Sequence, residues 1–538
     1  MRNLISQSFI FLFLASTLVA FADPSAAEAA SKRRAQGKPA PTKNSNPVVA
    51  TYNPNSAAHQ QLTRALDLAG KGQYQSAASQ LFILSRRSEL KEERPQIKYI
   101  LGLMLMELKM SQVAAFQFVD VIRMNNTKYK KQAIEKLSIV ADGLGDDTLL
   151  DYAISKVDVV DIPTNNKDMI NYRIGEIKNK SKDFIGAANY FSRVQPGSSY
   201  YNQALFSKGL AELSQNKPDT AVDSFRNLLA IRGKSGVTDT NRVAAQLAIA
   251  RTLYQKQSWD EAIEAYAKVP RDHFLWHQAI FEQSWAMLRG ARFRSALSNF
   301  QSLHSAYYED FYIPESLLLR AIVYLYICKY DEMEKVLTLF EKTYGPVRTQ
   351  IAGFLGRNSS SYEYYIEAEK AYDIKKGKES NANLRLPYLV LKNALEQGDI
   401  RRGFQYLKTL SDEKSRIDAN VALRGTPLGV YAQKIISSRG KNKKFAMGDM
   451  VRAHLQNMRA DLADLYEQAG LIRYEMISGK KDTLKKKITG NDLASAQIDD
   501  KINREFYVEN GYQYYPFKGE YWLDEVGNYH YLGKQSCE

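Results

Sequence analysis

Two cysteines in 538 residues cannot cross-link a chain of this size, so a disulfide scaffold is excluded. Glycine and proline are also scarce, at 30 and 15, which rules out collagen-like and low-complexity chains. With 44% hydrophobic and 25% charged residues, the chain has ample means to bury a core. Only six histidines occur. His273 and His277 could share a helix face, but no Glu follows His273 and no third ligand is near, so they read as helix-start residues beside Trp276. Gly-x-Ser-x-Gly, the phosphate-cradling GxxxxGK[ST] and Cys-x-x-Cys are all missing. Asp310, Asp499 and Asp500 read as solvated helix ends. The sequence therefore predicts no enzyme, no metal and no cofactor. No apolar run reaches the ~20 residues needed to span a bilayer.

What is present begins with charge. The formal net charge is +15, which suits an anionic partner. Arg2, the short apolar run Phe9 to Val19 and the small-x-small Ala20-Phe21-Ala22 form the pattern of a secretory signal over 1–22, with cleavage before Asp23. The expected product is exported, periplasmic or secreted, and not a lipoprotein, since no cysteine lies near the cleavage site. Export argues against nucleic acid as a partner. Residues 23–56 are small, polar and basic, a linker too poor in apolar surface to fold. Cys328 and Cys537 could pair after export, or Cys328 could be a small buried helix residue.

Over 57–345 one pattern recurs: a small residue, another twelve later, and a large apolar residue four after that. It appears as Gly102/Ala114/Phe118, Gly175/Ala187/Phe191, Gly209/Ala221/Phe225, Ala250/Ala262/Tyr266 and Ser284/Ala296/Phe300. Weaker copies are Ala65/Ala77/Leu81, Leu137/Leu149/Ala153 and Ala321/Met333/Leu337. The starts at 65, 102, 137, 175, 209, 250, 284 and 321 fall 34 to 41 residues apart. An aromatic three positions before the second small residue recurs at Tyr74, Phe184, Trp259, Phe293 and Tyr330. Pro196-Gly197, Pro270 and Gly345-Pro346 read as breaks that close a unit. Small residues allow two helix backbones to approach, and the large one fills the space beside them.

This array resembles the tetratricopeptide repeat family, whose ~34-residue units are helix-turn-helix pairs. The resemblance implies an all-α solenoid of about eight helix pairs with a concave groove. Its groove positions fall here on Phe206, Leu210 and Leu213, then Leu247 and Tyr254, then Phe281, Trp285 and Leu288, then Ile322 and Tyr326. The Lys, Asn and Arg set with which one subtype of the family clamps a peptide carboxylate is not matched. The groove as inferred is apolar and aromatic, fit for an amphipathic helix or apolar peptide, unless the chain's own C-terminal parts fill it. A looser resemblance, carried by the tail YYPFKGEYWLDEVGNYHYL, is to repeat proteins of envelope and motility machineries in gliding or predatory bacteria.

Beyond the array, 346–445 reads as degenerate helical repeats and a basic loop. Residues 446–478 form a long helix with a heptad seam through Leu455, Met458, Leu462, Leu465 and Ile472. That seam would either cap the last repeats or pair two copies into a homodimer. A charged linker or helix follows over 479–505. The aromatic tail 506–538 reads as a β-hairpin-like module. The reading that unites these features is a non-enzymatic periplasmic scaffold binding envelope proteins through the groove. The alternative is a basic protein associated with anionic cell-wall polymer or a membrane surface, using the repeats as a spacer.

Overall fold

The computed structural model describes residues 56–124, 128–156, 166–231, 240–308, 311–357, 360–377, 384–489 and 522–531, without the side chains of 482–489. The expected signal segment, almost all of the basic linker and Cys537 lie outside these residues. The described chain is all-helical. In order the helices are α1 (Ala57–Gly70), α2 (Tyr74–Leu84), α3 (Arg94–Glu107), α4 (Ser111–Arg123), α5 (Lys130–Leu144), α6 (Thr148–Ile154), α7 (Lys167–Lys180), α8 (Phe184–Phe191), α9 (Tyr201–Ser214), α10 (Pro218–Ala230) and α11 (Thr240–Gln255). There follow α12 (Trp259–Ala267), α13 (Trp276–Arg289), α14 (Phe293–Leu303), α15 (Glu315–Tyr326), α16 (Tyr330–Arg357), α17 (Ser361–Lys375), α18 (Tyr388–Glu396), α19 (Gly398–Ala419), α20 (Val421–Arg424) and α21 (Pro427–Thr489).

The helices pair in sequence order, each packing on the next: α1 on α2, α2 on α3, α3 on α4, and likewise α9 to α16. First helices of adjacent pairs also touch, as α9 with α11 and α13 with α15. This is a helical-repeat solenoid, and its core is the sequence pattern itself. Ala65, Ala77, Leu81, Leu101, Ala114, Phe118, Ala187, Ala221, Phe225, Ala250, Ala262, Ala296, Phe300, Ala321 and Met333 are all fully buried. The small residues are needed where they stand: a Cβ on Gly102 would lie 2.5 Å from Cε1 of Phe118, and one on Gly209 would lie 2.7 Å from Cζ of Phe225. The copy at Leu137/Leu149 is shifted by one, because Leu150 rather than Leu149 is buried.

Each pair turns over on one residue in the left-handed region. These are Gly72, Lys109, Gly145, Lys182, Asn216, Gln257, Ala291 and Cys328, with φ between 56° and 76°. The following amide reaches back to close the helix, as Met110 N to Leu105 O at 2.8 Å and Arg292 N to Met287 O at 2.7 Å. Six of the eight are not glycine, so this strain repeats with the array. Ala291 is exposed. Ala291→Gly is expected to stabilise the protein by about 1 kcal/mol in denaturant unfolding, because relief of the left-handed cost outweighs the added chain entropy.

The chain divides into two compact units, residues 1–183 with 397–444, and residues 184–396 with 445–538. In the first, α1 to α6 stack, and α19 docks on α4. The Glu413 carboxylate accepts from the backbone of Gln112 at 2.9 Å and Val113 at 3.3 Å, capping the start of α4 from a distant part of the chain. Tyr406 Oη donates to Gln112 Oε1 at 2.6 Å. The 427–444 stretch of α21 buries Leu428, Ala432 and Ile436 in the same unit, so the expected basic loop is helix. Arg439 explains part of this, since its guanidinium is taken up by Asp146 at 2.9 Å.

In the second unit, α8 to α16 stack in sequence order and α17 packs on α18. Gly345-Pro346 does not end a unit: α16 runs through it. Tyr344, Val347, Ile351 and Phe354 are buried on one side while Pro346 faces solvent, and that packing offsets the lost backbone hydrogen bond. The 445–489 stretch of α21 lies on α16 and α17. Leu455, Met458, Leu462, Leu465 and Ile472 are all buried there. The heptad seam is buried within the chain, as the capping alternative expected, so these residues are not free to pair two copies. Its neighbours fix it in place: Phe340 and Tyr466 rings are 4.9 Å apart, and Arg473 binds Glu334 at 3.2 Å and Glu341 at 2.8 Å.

The β-rich tail is likewise corrected. Among the described residues there is no strand, and 522–531 forms tight turns instead, with Val526 N bonded to Trp522 O at 3.2 Å. Its backbone donates to α14 rather than to a partner strand, Gly527 N to Ser302 Oγ at 2.7 Å and Tyr531 N to Ser298 Oγ at 2.9 Å. The rest of 506–538 lies outside the described residues. Cys328 is disulfide-bonded.

Candidate functional site: the first-helix face of the second unit

α9, α11, α13 and α15 are the first helices of successive pairs, so one side of each belongs to a common face. The inferred groove residues lie on that face but differ in fate. Phe206, Leu210 and Leu213 on α9 are half-buried, as are Tyr254, Leu288 and Ile322, and Tyr326 is 48% exposed. Leu247, Phe281 and Trp285 are buried. α13 explains the difference: Ala279 to Met287 are buried without a break, which means that the helix is enclosed on every side. Lys392 of α18 sits 4.0 Å over the Phe311 ring, which in turn lies 4.0 Å from the His277 ring. The chain's own helices therefore cover this end of the face.

A polar ladder joins the first helices beneath that cover. Arg251 of α11 holds Glu282 of α13 through two hydrogen bonds, Nε to Oε2 at 2.8 Å and Nη2 to Oε1 at 2.6 Å. Burial alone would lower the Arg251 pKa, but the facing Glu282 carboxylate raises it above the ordinary value. Tyr266 lies against the same pair, and its phenol is pushed well up by burial and by the Glu282 charge. The Tyr254 phenol is raised by burial and partly held down by a hydrogen bond with Arg289. Glu315 of α15 has its carboxyl pushed up to about 7 by burial, against a lowering influence of Trp285, with Asp461 of α21 and Glu282 adding to the rise. The groove positions inferred from the sequence did not include Glu282 or Asp461. Glu282 did leave a signal: it is the lone carboxylate of its helix, and a carboxylate buried there needs a cationic partner.

His277 and His304 behave as buried side chains. His277 is held down to about 4 by burial, and His304 to about 3 by burial and Arg320. Among the described residues, no group of three His, Cys, Asp or Glu is placed to hold a metal ion.

The raised Glu315 carboxyl links stability to pH. Its folded pKa of about 7 exceeds the ordinary 4.5, so the folded state holds a proton that the unfolded chain gives up. That contribution is complete below about 4.5 and is lost as pH rises through 7. The full shift would amount to about 3 kcal/mol, trimmed to roughly 2 by partial exposure. Glu315→Gln should therefore lose less stability than the parent between pH 5 and pH 8 in parallel urea titrations; equal losses would contradict the assignment.

No family model and no curated protein matches the chain. Among solved structures it is similar to a tetratricopeptide repeat protein from Parabacteroides merdae, 13% identical, covering 53% of this chain and 93% of that one, with a TM-score of 0.22. It is also similar to a Rap protein complexed with Competence and Sporulation Factor, 12% identical over 66% and 99% of the two chains, TM-score 0.28. A third is the apo form of RapI, 11% identical over 72% and 99%, TM-score 0.29. The helical hairpins are consistent with the tetratricopeptide family. Likeness at this level carries over no residue role, so the tetratricopeptide-like reading rests on the chain's own spacing, burial and turns.

Proposed function

We propose that this chain is an exported, non-enzymatic scaffold that binds protein partners through the uncovered part of its first-helix face as a member of an envelope complex. One observation carries the reading. Repeated first helices line up on a single face, and at its α9 end Phe206, Leu210 and Leu213 keep part of their apolar surface outside the core. Tyr326, stacked on Phe293 with centroids 5.3 Å apart, offers a second preorganised aromatic. Such a surface fits an apolar or amphipathic segment, bound by buried area with an aromatic anchor. Phe281 and Trp285 are not part of this binding surface, because they serve the internal packing.

Export is supported by the pattern Arg2, Phe9–Val19 and Ala20-Phe21-Ala22, and is tested by cell fractionation with amino-terminal sequencing, which should read from Asp23. For the binding surface, a photo-crosslinker at Leu213 should capture a discrete partner in the native envelope, and the substitutions Phe206→Ser with Leu210→Ser should cut recovery at least tenfold while the melting temperature holds. Undiminished recovery from that variant would remove α9 from the binding surface.

A further inference from the structure

Elsewhere in the described residues several arginines are neutralised: Arg173, Arg251, Arg385 and Arg473 each meet a carboxylate. One place in the first unit departs from this. A shallow, open cleft at the surface between the end of α2, the start of α3 and the end of α4 is lined by Arg86, Arg94, Lys98 and Arg123 with a single carboxylate, Asp120. Lys98 donates to Asp120 in a close ion pair, so that pair contributes no net charge. Three guanidinium groups remain without a carboxylate among the described residues.

Each is held in position by something other than an acid. Arg86 lies 4.2 Å from the centroid of Phe82 and 5.8 Å from that of Tyr431. Arg123 lies 4.8 Å over Tyr152 and donates to its Oη at 3.2 Å. Arg94 donates Nε to Ser85 O at 2.9 Å and Nη2 to Arg87 O at 3.1 Å, which uses part of its five-donor fork and stiffens it. Stacking on a ring leaves the edge of a guanidinium free to donate. Three like charges sharing one cleft also raise the local potential, an arrangement that is costly unless an anion enters.

We propose that this cleft binds a phosphate-bearing ligand, its phosphoryl oxygens shared among Arg86, Arg94 and Arg123. A planar carboxylate satisfies one guanidinium fork, whereas a tetrahedral phosphoryl group presents three oxygens in different directions and can engage several forks together. The same chemistry is offered by a small free phosphate compound and by a phosphate polymer. The proposal does not depend on the scaffold reading, which concerns the other unit.

The test is calorimetric titration of the full chain with inorganic pyrophosphate, with a polyphosphate chain and with polyglutamate, at low and at physiological salt. Pyrophosphate and polyphosphate should both bind, and Arg86→Gln or Arg123→Gln should each weaken binding about tenfold, the size expected for one charge-assisted hydrogen bond. Arg226→Gln, on the exposed side of α10, should leave affinity unchanged. Polyphosphate preferred beyond its number of phosphate groups would identify a polymer as the source; parity per group would identify a small phosphate. Arg86→Lys and Arg123→Lys keep the charge and remove the fork, so severalfold weakening in these variants upholds the geometry even if a Gln variant melts early. Absence of binding by either phosphate, unchanged affinity in the Arg variants, or equal binding of polyglutamate would overturn the proposal.

Discussion

Gly448→Ala should destabilise the second unit by about 3 kcal/mol or more, the upper part of the range for forced overpacking. Intrinsic helix propensity pushes the other way, since Ala in a helix interior is favoured over Gly by about 1 kcal/mol. Geometry decides between them. A Cβ at Gly448 would overlap the backbone carbonyl oxygen of Ser361, the first residue of α17, and that oxygen cannot rotate away as a flexible side-chain end can. α21 would have to lift from α17, exposing a seam that now buries Met447, Val451, Leu455 and Met458. Gly470→Ala provides the internal control: nothing lies within 4 Å of its added Cβ, so propensity alone should operate and stabilise the protein by about 1 kcal/mol. Opposite signs for the two changes, read from melting curves and from hydrogen exchange over 447–476, are the expected result. A stabilised Gly448→Ala would mean that α21 does not approach α17 at this point.

The second large effect belongs to the ion pair under the first-helix face. Glu282→Ala is expected to cost about 3 kcal/mol, because it strands the Arg251 guanidinium in a site built around its partner. The estimate stays at the low end of the usual 3 to 5 kcal/mol because the Arg251 side chain keeps 29% exposure, while that of Glu282 keeps 4%. Replacing both partners with apolar residues, Arg251→Met with Glu282→Leu, should recover most of the loss, since desolvation of the pair no longer has to be offset. Urea unfolding of the parent, both single variants and the double variant forms a cycle that reads the coupling directly. Strict additivity would show that the pair does not interact.

The core of the repeats was written in the spacing of Gly102, Ala114, Phe118 and their counterparts, because close helix contact demands small side chains at fixed intervals. Those positions could be read without any structure, as could the helical character of 446–478 and the apolar identity of its seam. The turn residues could not. Lys109, Gln257 and Ala291 lack the glycine signature of a left-handed position, and only the closing hydrogen bonds of each hairpin reveal what they do. Nor could local pattern tell that Gly345-Pro346 would stay inside a helix, since that depended on Tyr344 and Val347 finding a buried neighbour. The aromatic tail misled for a similar reason. Alternating Tyr and Trp suit a strand, yet the described part spends its backbone donors on Ser298 and Ser302.

By itself, then, the sequence determined that this chain is an array of helix pairs with a defined period, a defined core and no recognisable catalytic motif, since these follow from composition and from contacts made within a few turns. Tertiary structure alone decided which apolar faces remain for a partner. The heptad seam is covered by segments far away in the chain, and Phe281 and Trp285 are buried, while Phe206, Leu210, Leu213 and Tyr326 keep exposed surface. It also brought Arg94 of α3, Arg123 of α4 and Arg86 of the turn after α2 into one cleft. Both outcomes depend on long-range docking, in which the burial of one segment is settled by the surface of another, and no local periodicity encodes that pairing.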